Sequence, residues 1–155
     1  MLKKKIIFFH PYSCYGGADL SISKLINIIP NGYDIDFLTL TKKPKIRFYT
    51  KKKFKVLKLS NKKTFKTVFE IRNLLKVELK KYNKVIFLSN QNFANIIALI
   101  SSFKLKGLKK IVFERNHLSE LDFSENFIDL TKKKIIKFLI KKTYKFSDLI
   151  MGNSE

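Results

Sequence analysis

Short apolar runs alternate with segments of helical periodicity along almost the whole chain, and this alternation most constrains the fold. The apolar runs are bounded by glycine, proline or polar clusters and predict buried strands, whereas the segments between them repeat apolar residues three or four apart. Strands are predicted at 5–9, 34–40, 54–59, 84–89, 110–114 and from 148, and helices at 17–29, 64–82, 92–103 and 127–146. The pattern predicts an α/β fold, a Rossmann-like parallel sheet with helices on both faces.

The predicted helices differ in how they present their apolar residues. Segment 92–103 is apolar nearly all round and should be well buried, whereas 131–146 carries seven lysines and no acid. That basic helix could lie on an anionic membrane, or pack its apolar face on the sheet with its lysines in water. Helix 64–82 is amphipathic, and its predicted core face comprises Phe65, Val68, Phe69, Leu75, Leu79 and Tyr82.

The net charge of +21 over 155 residues is the strongest compositional signal. The length suits one domain, and the charge favours an anionic partner such as nucleic acid, a membrane face or a phosphorylated substrate. Lysines are scattered, however, and Lys, Asn, Ile and Phe are abundant together, as in AT-biased coding. The aromatic residues fall at core spacings rather than between lysines on a strand face, which disfavours a nucleic-acid stacking platform.

Cysteine and hydropathy exclude several classes of protein. The single cysteine, Cys14, rules out an internal disulfide framework and fits a reducing cytosol, and two histidines with one cysteine argue against zinc. The apolar stretch at 93–103 is about half the roughly 20 residues that cross a bilayer, and the apolar start is too short for a signal peptide. A cytoplasmic protein, soluble or peripheral on the membrane, is therefore expected.

A pair of adjacent glycines, Gly16 and Gly17, lies between the first strand and the first helix. A strand, a tight loop and a helix N-terminus form an anion site, where glycine permits close approach of a phosphate or a sugar. The spacing matches neither the dinucleotide-binding motif nor a P-loop. The alternative is that the glycines only shape the turn.

Polar residues also follow the strand at 110–114. Arg115 could clamp a phosphate, Asn116 could bond a hydroxyl, and His117 could transfer a proton or orient a substrate. The alternative is a solvated loop with one salt bridge. His10, at the end of the first strand, is a candidate functional residue in the same way.

The segment after the fourth strand, 89–92, reads Ser-Asn-Gln-Asn. These side chains could bond sugar hydroxyls. The favoured interpretation is that Asn90 or Asn92 caps the following helix.

Four segments, in their order along the chain, resemble segments of family-4 type glycosyltransferases of the GT-B fold. They are "KIIFFHPYSCYGGADLSISKLINII" with "YDIDFLTL", then "KVIFLSNQNFANIIALISS", "KIVFERNH" and "FSDLIMGNSE". Asp19 stands after Gly-Gly-Ala where the family more commonly has Glu. Together they cover nearly the whole chain.

The resemblance implies a retaining transferase that moves a sugar from a nucleotide-sugar to a glycan or lipid-linked acceptor in surface polysaccharide synthesis. It implies no cofactor beyond the donor substrate. His117 would orient the sugar as the catalytic residue. The implied phosphate- and substrate-binding residues are Gly16, Gly17, Asp19, Arg115, Asn116, His10 and Asn90.

The family's second half, a donor-binding domain with a basic residue and a Glu-x7-Glu motif, has no counterpart here. Residues 1–155 are thus expected to be one incomplete acceptor-side domain, inactive alone. The expected partners are a nucleotide-sugar, a glycan or lipid-linked acceptor, the missing domain and an anionic membrane surface, without nucleic acid. The rival is a small basic α/β module that binds nucleic acid or another polyanion without catalysis.

Overall fold

Six parallel strands form one sheet, and helices cover both of its faces. This is a computed structural model that describes residues 3–14, 16–61, 63–114 and 127–152. The strands are β1 (Lys4–Phe9), β2 (Tyr33–Thr39), β3 (Lys55–Lys58), β4 (Lys84–Asn90), β5 (Leu108–Glu114) and β6 (Leu149–Gly152). The helices are α1 (Gly17–Ile28), α2 (Val68–Lys81), α3 (Asn92–Ser101) and α4 (Phe127–Thr143). The predicted Rossmann-like α/β fold is confirmed.

The strand order, β3-β2-β1-β4-β5-β6, places β1 in the middle of the sheet. The chain builds outward from β1 through β2 to β3, then crosses back to pair β4 with the other side of β1. This is the doubly wound order, in which ligands bind beyond the carboxyl ends of the strands where the winding reverses. The reversal here lies between β1 and β4.

Each face of the sheet has its own core, because successive strand residues point to opposite faces. Ile6 and Phe8 pack toward α1, and Ile7 and Phe9 pack toward α2 and α3. Helix α4 lies beside α3 and buries Ile140 against it. The strands β1, β2 and β4 are buried on both faces, which explains their nearly continuous apolar sequences.

The predicted core face of helix 64–82 was partly wrong. A 3₁₀ turn occupies Thr64–Thr67 before α2 begins, and Phe65 and Phe69 are 69% and 79% exposed. Leu75 is buried as predicted, and Val68, Leu79 and Tyr82 pack partly buried against the core, whereas the buried Ile71 was not predicted. Packing on the sheet thus buries the aliphatic side chains and leaves the two phenylalanines in solvent.

The basic segment 42–53 contains a 3₁₀ helix at Lys45–Tyr49. Ile46 is fully buried in the α1 core. Asn27 on α1 holds this segment, since its amide donates to the Tyr49 carbonyl and its oxygen accepts from the Lys51 N–H.

Candidate functional site

The carboxyl ends of β1 and β4 bring His10 and Asn90 together. Phe9 pairs with Ser89 in the sheet, so His10 and Asn90 are the next residues along two neighbouring parallel strands. Both follow the alternation toward α1, and the His10 ring lies edge-on to Phe37 in the α1 core, 6.2 Å between ring centres. Two residues predicted separately from sequence thus lie side by side at the reversal point of the sheet, where doubly wound folds form their ligand crevice.

His10 lies against Asp19, a contact that the sequence did not reveal. The His10 Nε2 is 3.5 Å from the Asp19 Oδ1, and both side chains are buried. Asp19 is in the first turn of α1, where the helix dipole favours a carboxylate. Asp19 is therefore placed to interact electrostatically with the His10 ring at the start of the helix.

Gly16 and Gly17 are exposed at the start of α1, and a Cβ on either would meet nothing within 4 Å. Gly16 is the N-cap with extended backbone (φ −117°), and no side chain caps the helix. Because neither glycine has a positive φ, the turn does not require glycine, and the interpretation that they only shape the turn loses support. Either position therefore has room for a larger group beside its Cα.

Asn90 is only 1% exposed, and within the described residues neither its Oδ1 nor its Nδ2 has a hydrogen-bond partner. Buried amides in folded proteins are almost always bonded, and an unbonded polar group costs about 1–3 kcal/mol. Such an amide at a sheet edge is a candidate contact for a bound ligand.

The expectation that Asn90 or Asn92 caps α3 was wrong. The N-cap is Gln91, and its side chain makes no capping bond. Gln91 has φ +84° and ψ 143°, a region that residues with a Cβ seldom enter. This strained residue directly follows the unbonded Asn90, and backbone strain of this kind concentrates at functional sites.

A buried polar network lies on the other side of the same strand ends. Asn95 accepts a hydrogen bond from Ser89 Oγ (2.7 Å) and donates to the Phe113 carbonyl and to Tyr144 Oη (both 3.1 Å). Tyr144 donates to Glu114, the last residue of β5. Asn92, with its amide turned to suit its neighbours, donates to Glu114 Oε2 at 2.9 Å. An asparagine inside the apolar helix sequence was the only signal of this network.

Alkaline pH is expected to destabilise the fold through Tyr144. Burial, together with the hydrogen bond to Glu114, raises the pKa of Tyr144 above its ordinary 10.0. Above that pH the unfolded tyrosine loses its proton while the folded one keeps it, so the free energy of unfolding falls as pH rises. Urea denaturation between pH 9 and 11.5 should show a shallower fall for Tyr144→Phe than for the wild type. Equal slopes would contradict this role.

Arg115, Asn116 and His117, which were expected to bind substrate, lie outside the described residues. The strand that leads to them, β5, ends at the same edge of the sheet as β1 and β4.

Metal binding and membrane spanning find no support in the part of the chain that the structure describes. There, no group of three or more His, Cys, Asp or Glu side chains could hold a metal ion, and Cys14 is exposed. None of the described helices has the length and apolar character that crossing a bilayer requires. The site can thus offer hydrogen bonds, a helix dipole and an imidazole.

Comparison with known proteins assigns no family to the chain. No protein-family model matches the chain, and no curated protein matches it.

Proposed function

We propose that the chain is the acceptor-side domain of a retaining GT-B glycosyltransferase, and that the crevice between β1 and β4 receives part of a nucleotide-sugar. The observation that carries the proposal is the unbonded, buried amide of Asn90 beside His10, at the reversal point of a Rossmann-like sheet. The N-terminus of α1, where Gly16 and Gly17 are exposed, adds a place for an anion.

Each group suits one part of such a ligand. The phosphates would approach the α1 N-terminus, where glycine leaves the backbone accessible and the helix dipole is positive. The Asn90 amide can accept from one sugar hydroxyl and donate to another. The His10 ring, which lies beside Asp19, borders the same position. No cofactor takes part, since the nucleotide-sugar is the substrate.

Transfer itself would need a second wall to the cleft, supplied by a donor-binding domain. The acceptor would be a glycan or a lipid-linked glycan, as in surface polysaccharide synthesis. Arg115, Asn116 and His117 follow β5 in the chain, and we assign them to the acceptor and the transferred sugar. In a complete enzyme, His117→Ala should lower kcat, and unchanged turnover in a folded variant would remove that role.

Amide NMR of the chain titrated with UDP-glucose and with GDP-mannose tests the site. We expect weak binding, with shift changes concentrated at Gly16, Gly17 and the Asn90 side chain. Asn90→Leu should weaken binding at least about fivefold, because one or two hydrogen bonds are lost. Asn73→Leu, an exposed asparagine on α2, is the matched control and should bind normally.

Gly17→Ala separates the glycine's two possible roles in the same titration. Alanine at a helical position whose backbone it tolerates should raise the free energy of unfolding by about 0.4–1 kcal/mol. Its methyl group would nevertheless fill the space above the helix N-terminus and weaken nucleotide binding.

Shift changes spread over the lysines, and RNA binding stronger than nucleotide binding, would favour the polyanion-binding module instead.

A further inference from the structure

The outer surface of α2, α3 and α4 exposes an unusual number of large apolar side chains. Along α3 only Phe93 and Ile100 are exposed, so its solvent-facing strip carries no polar residue. The whole set, here termed the helical face, is Phe65, Phe69, Val77, Phe93, Ile100, Phe103, Ile135, Phe138 and Phe146. Helix α3 packs between α2 and α4, so these side chains belong to one layer.

Exposed lysines surround these apolar side chains. They are Lys66, Lys76, Lys80, Lys104, Lys132, Lys134, Lys137, Lys141 and Lys142. The acids on these helices have partners outside this set of lysines. Glu70 accepts hydrogen bonds from Ser60, Glu78 lies near Lys5 and Lys81, and Asp129 pairs with Lys133. The helical face therefore combines apolar area with a strong positive charge.

The opposite side of the sheet provides the contrast. Helix α1 exposes Leu20 and Ile28 among its large apolar side chains and no aromatic ring. Single exposed aliphatic residues are ordinary, whereas a lysine-rimmed group of phenylalanines marks an interaction surface.

From this charge complementarity we infer that the helical face docks on an anionic lipid bilayer. Phenylalanine and isoleucine enter the boundary between headgroups and acyl chains, while lysines reach back to the anionic headgroups. Nucleic acid fits less well, because Ile100, Ile135 and Val77 cannot stack on bases. The inference extends the membrane expectation from the basic helix α4 to a three-helix surface, and it does not depend on the proposed transferase activity.

The exposed phenylalanines indicate which edge of the sheet would face the bilayer. Phe65, Phe69 and Phe93 lie at the N-terminal ends of α2 and α3, and these ends share the edge of the sheet with His10 and Asn90. Docking through them would bring the crevice close to the bilayer. If the proposed function is correct, this position suits a lipid-linked acceptor.

Vesicle flotation of the intact chain tests the inference. Vesicles of phosphatidylcholine with 30% phosphatidylglycerol should carry the protein upward, and pure phosphatidylcholine should not. Phe69→Ser with Phe138→Ser should lower partitioning at least about tenfold, since two inserted rings are lost. Ile28→Ser, a 75% exposed residue on α1, is the matched control and should partition like the wild type.

Charge is tested separately from insertion. Lys134→Gln with Lys137→Gln should weaken binding to the anionic vesicles more than Lys24→Gln with Lys51→Gln, although both pairs remove the same charge. Equal loss in the two pairs would reduce the effect to net charge and overturn the inference. The inference would also be overturned if the protein bound RNA but not vesicles, and the phenylalanine variants left RNA binding unchanged. A dimer that the phenylalanine variants dissociate would overturn it as well.

Discussion

Replacement of Lys5 by methionine is expected to lower the free energy of unfolding by about 3–5 kcal/mol, the cost of leaving a buried charge without its partner. Lys5 is buried on β1, and its Nζ lies 2.7 Å from Asp36 Oδ2 and 3.9 Å from Glu78 Oε2. The Nζ also lies 5.1 Å from the centre of the Tyr82 ring. Methionine fills similar volume, so the loss comes mainly from the buried Asp36 carboxylate, because Glu78 keeps Lys81 at 3.6 Å.

Two further variants identify the cause of this loss. Lys4→Met, on the adjacent residue, should stay within about 1 kcal/mol of the wild type, because an exposed or half-buried lysine contributes little. Adding Asp36→Leu to Lys5→Met should restore part of the stability, since apolar pairs can replace buried ion pairs. The measurement is the urea midpoint of each variant, with the slope of the free energy of unfolding against urea concentration unchanged. A Lys5→Met variant as stable as the wild type would show that the carboxylates reach water.

The same cluster borders a groove of about 700 Å³ at the amino end of the sheet. Its inner polar groups pair with each other: Lys5 with Asp36, and Tyr82 Oη with Asp34 Oδ2 at 2.6 Å. That hydrogen bond raises the pKa of Tyr82. The groove therefore has a structural explanation, in contrast to the crevice at the opposite edge.

The second large effect concerns two asparagines whose leucine variants should change stability in opposite directions. Asn95→Leu should lower the free energy of unfolding by about 2–4 kcal/mol, because Ser89, the Phe113 carbonyl and Tyr144 lose a buried partner. Asn90→Leu should raise it by about 1–3 kcal/mol, because the unbonded amide disappears from a buried position.

Thermal and urea denaturation of both variants, beside the nucleotide titration, complete this comparison. Asn90→Leu should gain stability and lose nucleotide binding, the combination typical of a residue kept for a ligand. A destabilised Asn90→Leu would mean that the amide has a partner within the folded chain and would remove the main support for the proposed site.

The strands and helices were predictable from the sequence because their signals are local. A run such as "KIIFF" is short, apolar and bounded by polar residues, so it forms a buried strand almost wherever the chain places it. Strand–helix alternation and right-handed crossovers then leave few alternatives to a parallel sheet. The position of Gly16 and Gly17 after β1 followed from the same reasoning.

The tertiary structure alone decided how residues far apart in the sequence meet. Helical periodicity placed Phe69 and Leu75 on one predicted core face of 64–82, and only packing on the sheet separated them, with Phe69 in solvent and Leu75 in the core. The strand order brought Asn90 beside His10. Whether the Asn90 amide is hydrogen-bonded, or Lys5 is paired with Asp36, depends on which residues surround it in the fold. Periodicity along the chain does not reveal those neighbours.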